Sequence, residues 1–416
     1  MIVLAFYAAL FVISYVVVHA IRRRQTRHDL TSVKTVTFGD ESAIIPDRAA
    51  SVISVLSVFL IWGAFTGSSF APLHMPGPFK GETSFTYTAT DAAGATDDAT
   101  VRILVHDPAE KPAIPAIPLS DGFAADDAVA VGAWRSVLIR PTDNDGEGTR
   151  ITAINGQPVT PEVPVRLAHG RVVLTAKGSL NFTPHKGWQM EPLWLPSPEA
   201  VAARFFDIAQ NGYQNTALID HLASSMGRVL AGFFLGSLVG IPLGYAMGLS
   251  GWFRGWFDPI VEFMRPVPPL ALIPLIIIWF GIWETGKVVL LFLAALWIMV
   301  IAARSGVSGV RISKIHAAYS LGASKWQILR HVIIPNSLPD LFTGARVAMG
   351  VCWGTVVAAE LVAAQKGAGM MIIAASKFQL TDIVVMGIIL IGVIGYSLDI
   401  LMRMAERRLV PWRGRG

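Results

Sequence analysis

The stretch GIWETGKV, residues 281–288, comes within one residue of a phosphate-binding loop. In that motif, G-x-x-x-x-G-K-[ST], backbone amides cradle the phosphates, the lysine reaches them, and the final hydroxyl ligates magnesium. Val288 stands where the hydroxyl is needed, and no strand–loop–helix pattern surrounds it. The chain therefore has no ATPase site of its own, and 281–288 reads as a chance match or a structural turn. A second group, Asp143, Asp145 and Glu147 in TDNDGEG, offers carboxylate oxygens of the kind calcium takes. Asp, Asn and Gly also dominate ordinary turns, so calcium site and acidic turn both stay open. The third is Glu360, the clearest ionisable residue inside a long apolar run. Carboxylates in that setting mark sites of function by default, unless the residue sits near a membrane face and is merely solvated.

The elements that must position these residues are mostly apolar. Of 416 residues, 53% are hydrophobic and 15% charged, against about 25% charged in soluble domains. The expected fold class is an α-helical polytopic membrane protein. Runs of about 20 apolar residues, enough to span a bilayer, occur near 2–20, 50–70, 223–248, 266–283, 286–304, 342–363 and 382–402. Arginines follow the first run instead of preceding it, which makes it an uncleaved anchor and not a secretion signal. Alternating the spans puts 21–48, 250–265, 304–341 and 403–416 inside, with eighteen Lys/Arg, against three in the outside loops 283–287 and 364–381. That asymmetry satisfies the positive-inside rule, and it explains the net charge of +5 without nucleic acid. The N-terminus and residues 72–222 are then outside and the C-terminus inside. The single cysteine, Cys352, lies in an apolar run and excludes an intrachain disulfide.

Residues 72–190 break this pattern. SFTYTATDAAGATDDATVRILV (84–105) alternates in the manner of half-buried strands, and hairpin signals recur at Asn155-Gly156 and Lys177-Gly178. The segment is expected to form a small β-sandwich, interrupted by the Pro/Ala linker at 110–118. It resembles the cadherin-like or Ig-like repeats of bacterial surface proteins, with the closing hairpin placed first. That order implies a permuted sandwich in which 83–105 joins a sheet built from 135–184.

Between two apolar runs lies HAAYSLGASKWQILRHVIIPNSLPD, residues 316–340, too polar to span and helical in pattern. Ala317, Ala318, Leu321 and Trp326 fall where a short helix could bury them, Gly322 permits a bend, and Ile328, Leu329, Val332 and Ile333 form the apolar face of a second helix that Pro335 is expected to end. This pattern resembles the cytoplasmic coupling loop of importer-type ATP-binding cassette permeases, here spanning 305–340. Ala317, Ala318, Gly322 and Pro335 match the family form, and His316 stands where a glutamate is usual; Ala323, Ser324 and Trp326 complete the coupling set. PLWLPSPEAV, GIPLGYAMGLS, EFMRPVPPLALIPLIIIWFGIWETGKV, GVCWGTVVAAELVAA and RRLVPW extend the resemblance over 191–416. Within that family they are similar to the taurine, sulfonate and nitrate branch, nearest its taurine members.

The resemblance implies a six-helix type I permease core whose first span is 49–71, preceded by an extra anchor (1–48) and interrupted by the inserted module (72–190). It implies a bacterial inner-membrane location and a homodimer of permease chains. It also implies two cassette ATPase subunits holding ATP and magnesium, and a periplasmic substrate-binding protein. No cofactor is expected in this chain. Path candidates are Arg265 and Pro268 in a proline-broken span that equally serves packing, Trp353, for which packing is the commoner role, and Glu360, which could meet the ammonium of a taurine-like zwitterion. Asp399 and Arg403 are placed to pair at i,i+4. Other readings are a permease for nitrate or another small anion, and a membrane-anchored adhesion or scaffold protein built around the β module. An ion-coupled transporter would want more buried ionisable residues than Glu360.

Overall fold

A computed structural model describes residues 2–25, 48–108, 110, 122–146 and 148–412, in two compact units, 1–199 and 200–416. Glu147, the linker at 111–118 and the basic segment at 26–47 lie outside the described residues.

In the first unit, helices α1 (Ile2–Gln25) and α2 (Arg48–Thr66) pack together, with Phe6 edge-on to Phe65 and the Tyr7 hydroxyl 3.0 Å from Ser54 Oγ. In α1 the mostly apolar run extends from Ile2 to Ile21, about the 20 residues a spanning helix needs. Strands follow. β1 (Gly81–Thr90) and β2 (Thr96–His106) form the first hairpin, its turn held by Asp91 Oδ1 accepting from the amides of Ala93 and Ala95. β3 (Asp127–Gly132) runs parallel to β2. β5 (Arg150–Ile154) pairs antiparallel with β1 and turns at Asn155-Gly156, both at positive φ, into β6 (Gln157–Pro158). The second sheet runs β4 (Val137–Ile139), β9 (Leu180–Pro184), β8 (Gly170–Leu174), β7 (Pro164–Leu167). One apolar core serves both sheets: Tyr87, Val101, Ile103 and Ile154 from the first meet Val172, Leu180 and Phe182 from the second. The segments leading into and out of the strands are tied to each other and to α2. Trp188 N donates to Pro76 O, Met190 N to Phe65 O, and Trp62 Nε1 to Pro196 O. Glu199 accepts from Ser68 Oγ, Ser69 Oγ and Phe70 N. Partial burial works to raise its pKa, but these donors outweigh that and hold the carboxyl down at about 2.

The second unit is helical: α3 (Pro198–Asn211), α4 (Leu218–Leu249), α5 (Gly251–Met264), α6 (Ile273–Phe280), α7 (Glu284–Ser308), α8 (Ile312–Ser320), α9 (Lys325–Ile328), α10 (Ile334–Ala363), α11 (Ala368–Lys377) and α12 (Thr381–Leu409). Among the described residues five helices are long and apolar enough to cross a membrane, or six when a bent pair counts as one. That pair corrects two expectations. Residues 250–265 are helix α5 and not a loop, and 266–283 is no straight span, because Pro266, Pro268 and Pro269 break the helix and turn it by 90° between α5 and the 269–280 segment. The segment 364–381, also expected as a loop, holds α11.

The bundle is organised by α4 against α7. Gly232, Gly236, Gly240, Gly244 and Gly248 recur every four residues on α4, and a methyl group at any of them would come within 2.3 to 2.9 Å of α7 atoms. Contacts advance from Leu291 at one end to Val307 at the other, so the two helices run parallel. Small residues are how helices in lipid approach closely, since hydrocarbon gives no hydrophobic drive between them.

Two outcomes follow. Gly236→Val should prevent correct folding of the membrane unit, because both Ala295 Cβ (2.7 Å) and Phe292 O (2.8 Å) lie where its side chain begins; yield of monodisperse protein after detergent extraction should fall severely, while Gly255→Ala, with open space around it, leaves it unchanged. In the strand module, burial and the nearby Asp145, Asp126 and Asp143 push Asp127 up to about 6, though Asn144 donates to it; its Oδ2 is buried without a hydrogen-bond partner. A carboxyl with a raised folded pKa contributes stability at acid pH and loses it as pH rises through about 6. The module should therefore unfold at a lower temperature at pH 7.5 than at pH 5, and Asp127→Asn should narrow that gap in scanning calorimetry.

Candidate functional site

Two groups of residues stand at opposite ends of α10. At its N-terminal end lies the α8–α9 segment. α8 stops at Gly322, whose φ of +80° suits glycine. Ala323 N donates back to Ala318 O and Gly322 N to Tyr319 O, the paired bonds of a Schellman stop. Ser324 then caps α9 in a reciprocal box: Gln327 N donates to Ser324 Oγ at 3.4 Å and Ser324 N to Gln327 Oε1 at 2.8 Å. A π turn, Leu329–Ile333, carries α9 straight into α10.

Two expectations need correcting here, the helix-ending role of Pro335 and the burial of Ala317, Leu321 and Trp326, whereas the bend at Gly322 is present. Pro335 does not end a helix; it sits in the first turn of α10, where the π turn's longer hydrogen bonds pass over its missing donor. Leu321 and Trp326 are not buried: they are 88% and 66% exposed, with Tyr319 and Ile312 exposed beside them and Arg311, Lys325 and Arg330 around them. The reason is geometric. The underside of the segment is already filled by Ile328 and Ile333 packed on Val307, with Tyr245, Ile315, Ala318 and Ala323 about them. Gly322, finally, is required by its backbone angle, since a Cβ there would meet nothing within the chain. Ala317 and His316 are exposed, and the His316 carbonyl accepts from Ser320 Oγ. Lys314 Nζ donates to Asn336 Oδ1 (2.6 Å), tying α8 to the start of α10, and Tyr245 and Ser337 share a hydroxyl–hydroxyl bond that ties α4 to α10.

At the other end of α10, Glu360 is 1% exposed and fully engaged. It accepts from Arg228 Nη1 (2.6 Å), Ser225 Oγ (2.7 Å) and Gly369 N (2.9 Å). Arg228 also forks onto Glu284, Nε at 2.5 Å and Nη2 at 2.9 Å, and donates to Lys366 O. Lys287 Nζ reaches Glu284 at 2.9 Å. Ser225 accepts from Ala368 N, and His221 Nδ1 from Gly367 N. Four helices, α4, α7, α10 and α11, are thus bound by one polar network.

Sequence reasoning found Glu360 and missed Arg228, which lies inside the 223–248 span. The missing signal was available: a carboxylate buried in an apolar run demands a cation in another. Residues 281–283 form the turn between α6 and α7, with Gly281 at φ +71°, and 284–288 open α7, where Glu284 and Lys287 supply the network. Trp353 is buried in the core shared by α4, α7, α10 and α12 and donates Nε1 to Ile391 O. Arg265 is exposed, 3.9 Å from Glu262, and Pro268 caps the turn before α6. Asp399 takes Arg403 at 2.8 Å and also Arg346 at 3.1 Å. Asp145 accepts from the Tyr87 hydroxyl and Ala125 N. Among the described residues no three His, Cys, Asp or Glu side chains converge as metal ligands.

The family described as the inner membrane component of binding-protein-dependent transport systems matches residues 222–411. The taurine transport system permease protein of Escherichia coli is 46% identical over 226 residues, covering 54% of this chain and 82% of that protein. The nitrate import permease protein of Synechocystis sp. is 31% identical over 225 residues, covering 52% and 81%. Among solved structures, the inward-facing MetNI methionine ABC transporter aligns at 18% identity and a TM-score of 0.41, over 47% of this chain and 94% of that one.

If φ at Gly322 is what matters, Gly322→Asn should be tolerated and Gly322→Val should not, since a β-branched residue is a genuine outlier at positive φ. Protease sensitivity at 319–325 in the purified chain should rise for Val and stay near wild type for Asn.

Proposed function

The chain belongs to the family of inner membrane components of binding-protein-dependent transport systems, and on that premise we propose that it is the permease of an ATP-driven importer for taurine or a related small sulfonate. The observation that carries the reading is the α8–α9 segment: a rigidly capped knob whose underside is packed and whose tip presents Leu321 and Trp326 to solvent. Large exposed apolar side chains on a polar loop fit a partner's groove, here a cassette ATPase on the cytoplasmic side. Two such ATPases, a second permease copy and a periplasmic binding protein complete the assembly.

Closure of the ATPases on ATP pushes the knob. The push passes into α10 without a hinge, because α9, the π turn and α10 form one helical run from Lys325 to Val362. At about 1.5 Å per residue that run is roughly 57 Å long, so motion at the knob reaches Glu360 and the helices it binds. The substrate class rests on the taurine relative; nitrate is the alternative oxyanion. The strand module, on the periplasmic side, assists capture of the binding protein by raising its effective concentration. Its two ends, tied together at Pro76, Trp188 and Gln189, fit an insertion that leaves the core intact. Calcium in its TDNDGEG turn is a further proposal, for which Asp143, Asp145 and Glu147 are the ligands.

Proteoliposomes holding the complex should accumulate labelled taurine only with internal ATP, with methanesulfonate competing better than nitrate. No ATP-dependent accumulation of any of the three would overturn the reading. Leu321→Asp should lower uptake at least tenfold at equal membrane insertion, because burying a leucine contributes about 1.5–3 kcal/mol to a contact. Replacing 76–188 by a Gly/Ser linker should raise the binding-protein concentration needed for half-maximal ATPase stimulation.

A further inference from the structure

The network at the far end of α10 is unevenly buried. Counting side chains alone, Arg228 and Lys287 are each 7% exposed and Glu360 is 0% exposed, but Glu284, which holds both cations, is 62% exposed. Glu360 is locked by Ser225, Gly369 and Arg228. Among the described residues Glu284 is held by the two cations, and most of its side chain faces solvent. Open cavities flank it. One of about 470 Å³ is lined by Arg228, Glu284, Gln365 and Lys366. Another of about 590 Å³ is lined by Trp283, Glu284, Lys287 and Lys377.

We infer that Arg228 and Lys287 form a binding site for one monovalent oxyanion, which the Glu284 carboxylate occupies as an internal plug until such an anion displaces it. The charge count sets the valence. When Glu284 swings out, Arg228 keeps Glu360 as its counter-charge, and Lys287 is left with one uncompensated positive charge. The shape sets the class. The Arg228 fork offers Nε and Nη2 to two oxygens of one group at 2.5 and 2.9 Å, and Lys287 Nζ approaches one of the same oxygens. Two oxygens of a sulfonate or a nitrate can accept that fork as a carboxylate does. A buried ammonium such as Lys287 that loses its anion without replacement is costly, so the plug leaves only when an anion takes its place. A zwitterionic sulfonate gains a second contact, since the displaced Glu284 is then free to receive its ammonium. The choice of sulfonate rests on the proposed function, whereas the residues and the charge count do not.

The test is calorimetric titration of the purified full-length chain with methanesulfonate, taurine and nitrate at fixed ionic strength. Glu284→Gln, at an exposed position, should bind methanesulfonate at least tenfold tighter than wild type, because the competing carboxylate is neutral. Taurine should gain less, having lost the partner for its ammonium. In the Glu284→Gln background, Lys287→Met should reverse the gain and Lys287→Arg should keep most of it. Equal methanesulfonate affinity in wild type and Glu284→Gln, or a gain that survives Lys287→Met, would overturn the site. If Glu284→Gln binds like wild type while the assembled complex still imports taurine, the plug is refuted and the importer stands. If the gain appears but the complex imports no sulfonate, the importer reading fails and the oxyanion site stands.

Discussion

The closeness of α4 to α7 is the constraint on which the membrane unit depends. Five glycines at four-residue spacing leave no room for even a methyl group against α7. A gap of about 0.5–1 Å already forfeits a quarter to a half of the dispersion attraction between two surfaces, so this close contact supplies attraction that lipid tails would otherwise provide equally to each helix alone. The contact also fixes axial register: Gly232 meets Leu291 and Gly248 meets Val307. With register fixed, Arg228 on α4 comes level with Glu284 and Lys287 on α7, so the ion network depends on the glycine stripe.

The α8–α9 knob inherits its rigidity from the same bundle. Its underside rests on Val307 at the end of α7 and on Tyr245 near the end of α4, the two helices the stripe holds together. A Schellman stop, a capping box and a π turn then leave the tip almost no freedom of its own. A force applied at Leu321 and Trp326 is therefore delivered to α10 and not absorbed in the loop. The far end of α10 carries Glu360, which ties α4 and α11 to it. One helix thus connects an exposed apolar tip to a buried ionic knot.

That knot also shows why buried charge in a membrane is informative. Glu360 inside an apolar span is affordable only because Arg228, the Ser225 hydroxyl and the Gly369 amide all donate to it. Glu284 is the exception, a carboxylate facing water while its cations stay buried, and that imbalance separates it from a purely structural salt bridge.

Much of this was legible in the sequence, because composition and period act locally. Apolar run length placed α4, α7 and α12, strand alternation placed β1, β2, β8 and β9, and the Gly322 bend announced the knob. What local pattern could not decide was which surfaces were already taken. Leu321 and Trp326 look like core residues in a helical wheel, yet Ile328 and Ile333 had filled the space beneath, so they stand in solvent. Pro335 reads as a stop, yet a π turn carries the helix past it. Arg228 and Glu360 lie 132 residues apart, and no periodicity joins residues on different helices. Their pairing was decided by the tertiary fold, because a buried charge is compensated by whatever the packing brings within about 3 Å of it, wherever that residue lies in the chain.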